Sequence, residues 1–282
     1  MLPLKLHLGY AGYCLAGEHH ALRGGRRRQI RFYALWGLIE HPRHGLILYD
    51  AGYTPRFYEA TARWPARLYA ELTRVVIQEK ETVKNQLLRA GIDPSGIRHL
   101  ILTHFHADHA GGLRDFPNAT IHVSQAALTQ VQSLGKRWAF TKGILPELLP
   151  TDLLERAAPI ETNCLSAPDP HFGRSYDLFA DGTIQLLPLP GHAAGQLGVR
   201  LATDRHRYLL AADACWLREH YREERLPHPI VRLFFDSWSA FKRSLLALRA
   251  FHRAHPEVRI VPTHCQRTTD PLVSSTINFD RL

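Results

Sequence analysis

Residues 102–112 read LTHFHADHAGG and place three histidines and one aspartate within six positions. These residues are His104, His106, Asp108 and His109. Neutral imidazoles and a carboxylate suit zinc and neighbouring first-row metals, and a site without thiolates leaves coordination positions open. Without a cation, crowded imidazoles would lose their hydration and gain nothing in return. The stretch therefore predicts a metal site.

Three more potential ligands follow other apolar runs, each at the end of a predicted strand. His192 follows QLLPLPG, Asp213 follows RYLLAA and His264 follows VRIVPT, just as His104 ends RHLILTH. Strand ends at one edge of a sheet are where functional groups gather in layered α/β folds. A histidine at a strand end is more often simply packed, but in PLPGHAAGQ the glycines around His192 allow a tight turn that presents the ring. We therefore expect these side chains to converge.

The elements that carry these residues are predicted from hydrophobic periodicity and turn signals. IRFYALWGLIEH and GLILYDAGY form a hairpin through PRHG, residues 55–90 are helical, and ATIHVSQ is a strand before a helix near 125–133. Residues 135–175 are loop-rich, and hairpins follow around Asp181-Gly182 and in LGVRLATDRHRYLLAADAC. A helix over 237–256 precedes the strand VRIVPTHC. Neither a repeat nor a linker interrupts the pattern, so we expect one domain over residues 1–282.

Composition narrows the class of protein. The net charge is +9, and much of it lies in RGGRRRQIR (23–31), while REHYREER (218–225) is typical of a solvated helix. A basic surface is favoured over a nucleic-acid footprint because no nucleic-acid-binding signature accompanies the charge. Cys14, Cys164, Cys215 and Cys265 form no CxxC pair and are expected to be buried reduced thiols. No run is long enough to span a membrane, and the order of charge and apolar residues at the start differs from a secretory signal, so we expect a cytoplasmic protein.

The motifs THFHADHAGG, GHAAG, AADA and PTHC, in that order, resemble those of the metallo-β-lactamase-fold hydrolases, and within them the N-acyl-homoserine lactonase-like branch. The resemblance runs from LILYDAGY to IVPTHC and implies an α/β fold, a four-layer αββα sandwich with a dinuclear metal site at the sheet edge. It implies two divalent ions, zinc first, with iron, manganese and cobalt open. One ion would take His104, His106 and His192, the other Asp108, His109 and His264, with Asp213 bridging them and Asp50 supporting the ligands from behind.

The resemblance also implies a reaction. Two cations lower the pKa of a bridging water, so that hydroxide attacks a carbonyl carbon and the ions stabilise the oxyanion, while Asp108 also carries protons. Such a site suits several hydrolyses, so the metals alone do not name the substrate. We expect a small-molecule substrate, a lactone or related carboxylic ester such as an N-acyl-homoserine lactone. The alternatives are a phosphodiesterase, phosphotriesterase or nuclease, a di-iron redox enzyme, and a non-catalytic metal-binding or regulatory protein.

One position departs from the lactonase pattern. Lactonases of the family often carry a tyrosine three residues after the bridging aspartate, where this chain has Trp216, whose indole donates a hydrogen bond but no proton. Either metal and solvent take over that step, or Tyr53 or Tyr221 does. The aromatic segment 53–76 is typical of a packing face, yet it is also placed to cover the site or form a homodimer contact. Residues 135–175, with Trp138 and Phe140, are the other candidate wall of the substrate pocket.

Overall fold

Two β-sheets organise the computed structural model, which describes residues 4–135, 138–161, 167–274 and 276–277. The first sheet has the order β4 (Arg74–Val76), β1 (Lys5–Gly17), β2 (Gln29–His41), β3 (Gly45–Tyr49), β5 (His99–Ile101), β6 (Thr120–Ser124), β7 (Ala157–Ile160). The second has the order β13 (Val258–Pro262), β12 (Arg207–Ala212), β11 (Leu197–Ala202), β10 (Ile184–Pro188), β9 (Gly173–Asp177), β8 (Ala167–Asp169).

The helices are short, apart from one of 17 residues. They are α1 (Glu18–Ala21), α2 (Arg56–Ala60), α3 (Arg67–Leu72), α4 (Val83–Arg89), α5 (Ala107–Ala110), α6 (Gln125–Ser133), α7 (Leu153–Arg156), α8 (Arg218–Glu223), α9 (Trp238–Ala254) and α10 (Gln266–Thr269). Six 3-10 helices span Glu79–Glu81, Pro94–Gly96, Leu113–Asp115, Ala139–Lys142, Pro146–Leu148 and Pro229–Phe234. No helix of the described ranges has the length and apolar character that crossing a membrane requires.

The two sheets pack face to face, with helices on both outer faces. Between the sheets, Leu8 and Ile101 of the first share a core with Val199 and Leu210 of the second. On the outer side of the second sheet, α9 buries Phe241, Leu245, Leu248 and Phe251, which lie on one face of the helix. The other outer layer contains α4 and α6. The predicted αββα sandwich is confirmed.

Parallel strand pairs determine where the site forms. β12 and β13 are parallel, with Leu210 opposite Val261, so both strands release their chains at the same edge. β3 and β5 are also parallel, with Tyr49 opposite Ile101. Since the carboxyl ends of parallel strands meet at one edge, residues from distant parts of the sequence come together there.

Several predicted elements differ from the structure. β1 was not predicted, and Arg74–Val76, within the segment expected to be helical, pairs with β1 as a short strand. The segment expected to be loop-rich contains β7, β8 and β9. These strands depend on partners distant in sequence, so their local patterns are weak.

Side-chain environments are a second difference from expectation. The helix expected in REHYREER forms, but it is not solvated all round, because Glu219, His220 and Tyr221 are buried. Among the cysteines, Cys215 and Cys265 are free and buried and Cys14 is free and partly buried, while Cys164 lies outside the described residues. Of the three that are described, Cys215 and Cys265 are therefore buried as expected, and Cys14 is more exposed than expected.

A partly buried histidine pair makes the stability of the fold sensitive to acid. In β6, burial lowers the pKa of His122 to about 4, and His99, whose Nδ1 lies 3.0 Å from His122 Nε2, acts in the same direction. The unfolded chain therefore binds this proton more readily than the folded chain. Stability is complete above about pH 6.5 and is lost as the pH falls towards 4.

We predict that His122→Phe reduces this loss. Between pH 7.5 and 5.0, the free energy of unfolding should fall by about 1–2 kcal/mol more in the wild type than in the variant, because the variant has no proton to bind at this position. Urea unfolding in the presence of a chelator measures both values. An equal fall in the two proteins would contradict the assignment.

Candidate metal centre

The seven predicted ligands come together at the strand ends and form two adjoining groups. The nitrogens of His104, His106 and His192 lie within 4.8 Å of one another. Ligand atoms of Asp108, His109, Asp213 and His264 satisfy the same limit. The two groups adjoin, because His192 Nε2 of the first lies 3.2 Å from Asp213 Oδ2 of the second.

Local structure explains how one short motif contributes to both groups. β5 ends at Ile101, the chain beyond it carries His104, and His106 is in extended conformation immediately before α5. Asp108 and His109 then lie within the single turn of α5, so they are directed differently from His106. A change from extended chain to helix within six residues therefore divides the motif between the two groups.

Hydrogen bonds behind the ligands set the orientation of their rings. Asp50 Oδ2 accepts from His109 Nδ1 at 2.7 Å, and Asp50 accepts from both the amide and the hydroxyl of Thr103 at 2.9 and 3.0 Å. The Thr103 hydroxyl in turn lies 3.1 Å from His104 Nδ1. With both Nδ1 atoms engaged, His104 and His109 direct Nε2 into the site.

His264 is oriented in the same way by the main chain. Its Nδ1 lies 2.9 Å from the carbonyl oxygen of Tyr33, to which it donates. Its Nε2 then faces Asp213 Oδ2 at 2.9 Å. The sequence identified Asp50, but it missed Thr103 and Tyr33. Thr103 is adjacent to a predicted ligand, which is a weak signal, while a backbone carbonyl has no signal in a sequence.

The donor set fits cations. His104 Nε2, His109 Nε2 and Asp213 Oδ1 are buried polar atoms without a hydrogen-bond partner among the described residues. Buried lone pairs that face one another repel unless a positive charge lies between them. Three histidines and no thiolate in one group, and two carboxylates with two histidines in the other, are ligands that zinc and similar divalent metals accept.

The pKa shifts in the group that contains the carboxylates indicate an excess of negative charge there. Burial opposes protonation of His109, but Asp108, Asp50 and Asp213 raise its pKa well above the usual value. Burial also opposes ionisation of Asp213, yet His264, His109 and His192 hold its pKa well below the usual range. A carboxylate that stays ionised in a buried site is ready to bind a cation.

The histidine-only group has the opposite character. Burial and the neighbouring His192 lower the pKa of His106 to about 3. Burial, with His109 and His106, lowers the pKa of His104 well below its usual value. These rings are therefore neutral at physiological pH, which is the form that binds metal.

The backbone is strained next to the site. Asp50 and Ala212, which directly precedes Asp213, have φ of 52° and 46°, in the left-handed region that non-glycine residues rarely adopt. Such conformations persist where surrounding structure overdetermines them, and they cluster at functional sites. Gly143, with φ of 70°, packs on the His106 ring so closely that a β-carbon would lie 2.6 Å from Cδ2.

A cavity of about 500 Å³ opens onto the candidate metal centre. Its floor includes His106, Asp108, His192, Asp213 and His264. Its walls are mainly apolar and come from β1, α3, the 3-10 helix Ala139–Lys142 and the 3-10 helix Pro229–Phe234. Part of the aromatic segment 53–76 therefore covers the site, and part of the loop-rich segment forms another wall, as the sequence suggested.

The predicted pocket residues differ in where they lie. Tyr53 and Trp216 line the cavity, and the Trp216 ring meets His192 edge-on at 5.8 Å between centroids. Trp216 Nε1 is buried without a hydrogen-bond partner among the described residues. Tyr221 is not part of the described lining: it is buried in the second-sheet core, where it packs against His252 at 5.1 Å. The structure thus gives no basis for Tyr221 as a proton donor.

A further cluster of possible ligands, His41, His44 and Asp181, lies outside this centre. His41 Nδ1 accepts from the amides of Arg43 and His44 at 3.1 and 3.2 Å, so its Nε2 carries the proton and faces Thr183 Oγ1 at 3.0 Å. A metal ligand needs a free nitrogen lone pair. This cluster therefore does not fit a cation.

The αββα sandwich and the histidine-aspartate centre at its edge define a class, the metal-dependent hydrolases of the metallo-β-lactamase type. The family model described as "Metallo-beta-lactamase superfamily" matches residues 30–264, and the chain belongs to this superfamily. It is a lactonase-like metallohydrolase with candidate metal-binding residues.

Individual relatives support this assignment. A probable metallo-hydrolase of Mycobacterium tuberculosis is 28% identical over 233 residues, which cover 78% of this chain and 71% of that protein. The N-acyl homoserine lactonase AttM of Azorhizobium caulinodans is 28% identical over 234 residues, 80% of this chain and 82% of the relative. A solved N-acyl homoserine lactone hydrolase with the product N-hexanoyl-L-homoserine at its catalytic metal center is 19% identical, with a TM-score of 0.73 over 96% of both chains. That likeness concerns the fold.

We predict that Gly143→Ala weakens metal binding by about 10- to 100-fold, because the new β-carbon displaces the His106 ring. Gly91→Ala is the matched control, since Gly91 has a similar φ of 75° but an added β-carbon meets nothing within 4 Å. Both variants should lose roughly 1 kcal/mol of stability from backbone strain. Titration with Zn²⁺ against a competing chelator measures affinity, and equal affinities in the two variants would contradict the packing argument.

Proposed function

We propose that this chain hydrolyses a lactone or related carboxylic ester with two divalent metal ions, most simply zinc. The observation that carries the proposal is the pair of adjoining ligand groups, with buried unpaired lone pairs, on the floor of an apolar cavity. One ion would be held by His104, His106 and His192, and the other by Asp108, His109 and His264. Asp213, which contacts both groups, would be shared.

We also propose that residues 1–282 act as one domain.

When bound, two such ions supply Lewis acidity, which lowers the pKa of a shared water and stabilises negative charge on a carbonyl oxygen. The chain's own residues orient the ligands and handle a proton. Asp50 and Thr103 hold the His109 and His104 rings, and the Tyr33 carbonyl holds His264, so the ligands need no reorganisation. Asp108 borders the cavity, where its carboxylate can hold a proton between water and substrate.

The cavity wall supports an acyl substrate. Leu15, Leu68, Leu72, Phe140 and Val231 are among the apolar side chains that line it. Each methylene buried against such a wall contributes about 0.8 kcal/mol. Since the relative of Azorhizobium caulinodans is named an N-acyl homoserine lactonase, we propose N-acyl-homoserine lactones as the substrate class.

Charge around the cavity weighs against a nuclease. Among the described residues that line the cavity there is neither a lysine nor an arginine. In the basic segment 23–31, Arg28 pairs with Glu18, and Arg31 lies over the Tyr13 ring at 4.9 Å. Phosphate recognition by protein depends on cationic groups at the bound backbone, so the net charge of +9 is better described as a property of the surface.

Metal analysis and a substrate panel on the same sample test the proposal. We expect two metal ions per chain, loss of turnover after chelation, and recovery when Zn²⁺ is restored. Among homoserine lactones, kcat/KM should rise about fourfold per added methylene until the cavity is filled. A panel of aryl esters, phosphotriesters and RNA separates the alternatives. Absence of turnover on every lactone and carboxylic ester would exclude the proposed reaction.

Asp50 provides a test that does not remove a ligand. Asp50→Asn keeps the shape but cannot accept as strongly from His109 Nδ1, so we expect metal affinity to fall about 10- to 100-fold and turnover to recover at high metal concentration. Asp204→Asn, at an exposed position, is the control and should retain wild-type affinity. Wild-type affinity in Asp50→Asn would refute the supporting role.

A further inference from the structure

Opening an alkyl lactone leaves an alkoxide, which is a poor leaving group because its conjugate acid is nearly as weak as water. A hydrogen-bond donor at that oxygen is therefore useful, while an aryl ester, whose phenol has a pKa of about 10 or below, needs it less. Trp216 does not provide such a donor here, because its Nε1 is buried and is therefore not exposed to a substrate oxygen in the cavity.

Two phenols line the cavity, Tyr53 and Tyr69. Tyr53 is buried, with 1% of its surface exposed, and its hydroxyl is engaged with the Cys14 thiol. Tyr69 lies on α3, and its hydroxyl has no hydrogen-bond partner among the described residues. Of the two phenols, Tyr69 therefore has a hydroxyl free to bind a substrate.

Packing holds the Tyr69 ring in the wall of the cavity whose floor carries the candidate ligands. The Tyr69 ring meets the buried Phe57 ring at 5.7 Å in an edge-to-face contact, which limits its rotation. Burial raises the pKa of Tyr69 well above its usual value, and the charges of Asp108, Cys14 and Asp213 act in the same direction. The hydroxyl thus stays protonated at neutral pH and lies within electrostatic reach of two of the candidate ligands.

We propose that Tyr69 donates a hydrogen bond to the leaving oxygen of the substrate, an inference that rests on the proposed ester hydrolysis. Water adds its oxygen to the carbonyl carbon, the bond from that carbon to the leaving oxygen breaks, and one proton of the water ends on the new alcohol. The carboxylic acid formed releases its proton to solvent. Tyr69 stabilises the leaving oxygen while this happens and remains protonated at the end of turnover.

Tyr69→Phe tests the role through the leaving group. The lactone and the p-nitrophenyl ester should carry the same acyl chain. For the variant, kcat/KM should fall roughly 10- to 100-fold on the lactone and less than threefold on the ester. The reason is that the leaving oxygen of the lactone develops a large negative charge, which the lost hydrogen bond would have stabilised, while the charge of p-nitrophenolate is delocalised into its ring. Tyr221→Phe, a buried tyrosine outside the described cavity lining, is the matched control and should match the wild type on both substrates.

Binding provides a second readout that does not depend on turnover. N-hexanoyl-L-homoserine carries the alcohol formed by ring opening, and N-hexanoyl-L-2-aminobutyrate has the same shape without it. By calorimetry, the wild type should bind the first about five- to tenfold more tightly than Tyr69→Phe does, with no difference for the second. The melting temperature and metal content of the variant should equal those of the wild type, since the hydroxyl has no hydrogen-bond partner among the described residues.

Several outcomes would overturn the role of Tyr69. They are an equal loss on the lactone and the aryl ester, no loss on either, unchanged binding of the alcohol, or a fall in metal content, which would show that the hydroxyl is structural. Failure of the proposed function is distinguishable, because the metal-loaded wild type would then hydrolyse none of these substrates.

Discussion

The structure depends on a concentration of buried charge at the edge of its sheets. Nε2 of His264 and Oδ2 of Asp213 lie 2.9 Å apart, and although burial opposes protonation of His264, Asp213 raises its pKa, so the two side chains share a proton. Burial removes the water that would screen these groups. A cation that takes both side chains as ligands displaces this proton, and binding of that cation is therefore coupled to pH and to the stability of the folded chain.

The scaffold keeps this arrangement from relaxing. Parallel pairing of β12 with β13 brings Asp213 beside His264, and pairing of β3 with β5 brings Asp50 beside Thr103. Both pairs lie between helical layers, in strands buried on both faces, so the strand ends have little freedom to separate. The left-handed backbone at Asp50 and Ala212 is tolerated because these packed strands hold it.

The cavity separates two kinds of interaction. Its floor is polar and carries the charges, while most of its wall is apolar and takes no part in the chemistry. An apolar wall binds an acyl chain by burying apolar surface, which does not require a particular orientation of the chain. A rigid polar floor, in contrast, acts only on the bond that is positioned next to it. The tyrosines are the exception, because phenols place a polar atom at the end of an apolar ring.

The sequence alone determined the ligand types, their order along the chain and the strands that end in them, because a crowded H-x-H-x-D-H motif and apolar runs are local properties. It also determined the αββα class through the family motifs. Only the tertiary structure decided how Asp108 and His109 diverge from His106, that Thr103 and the Tyr33 carbonyl orient the rings, and that Tyr69 rather than Tyr221 reaches the cavity. Tyr33 and His264 are far apart in sequence, as are Asp50 and Thr103, and the positions of such residues depend on how strands and helices pack, which local periodicity does not specify.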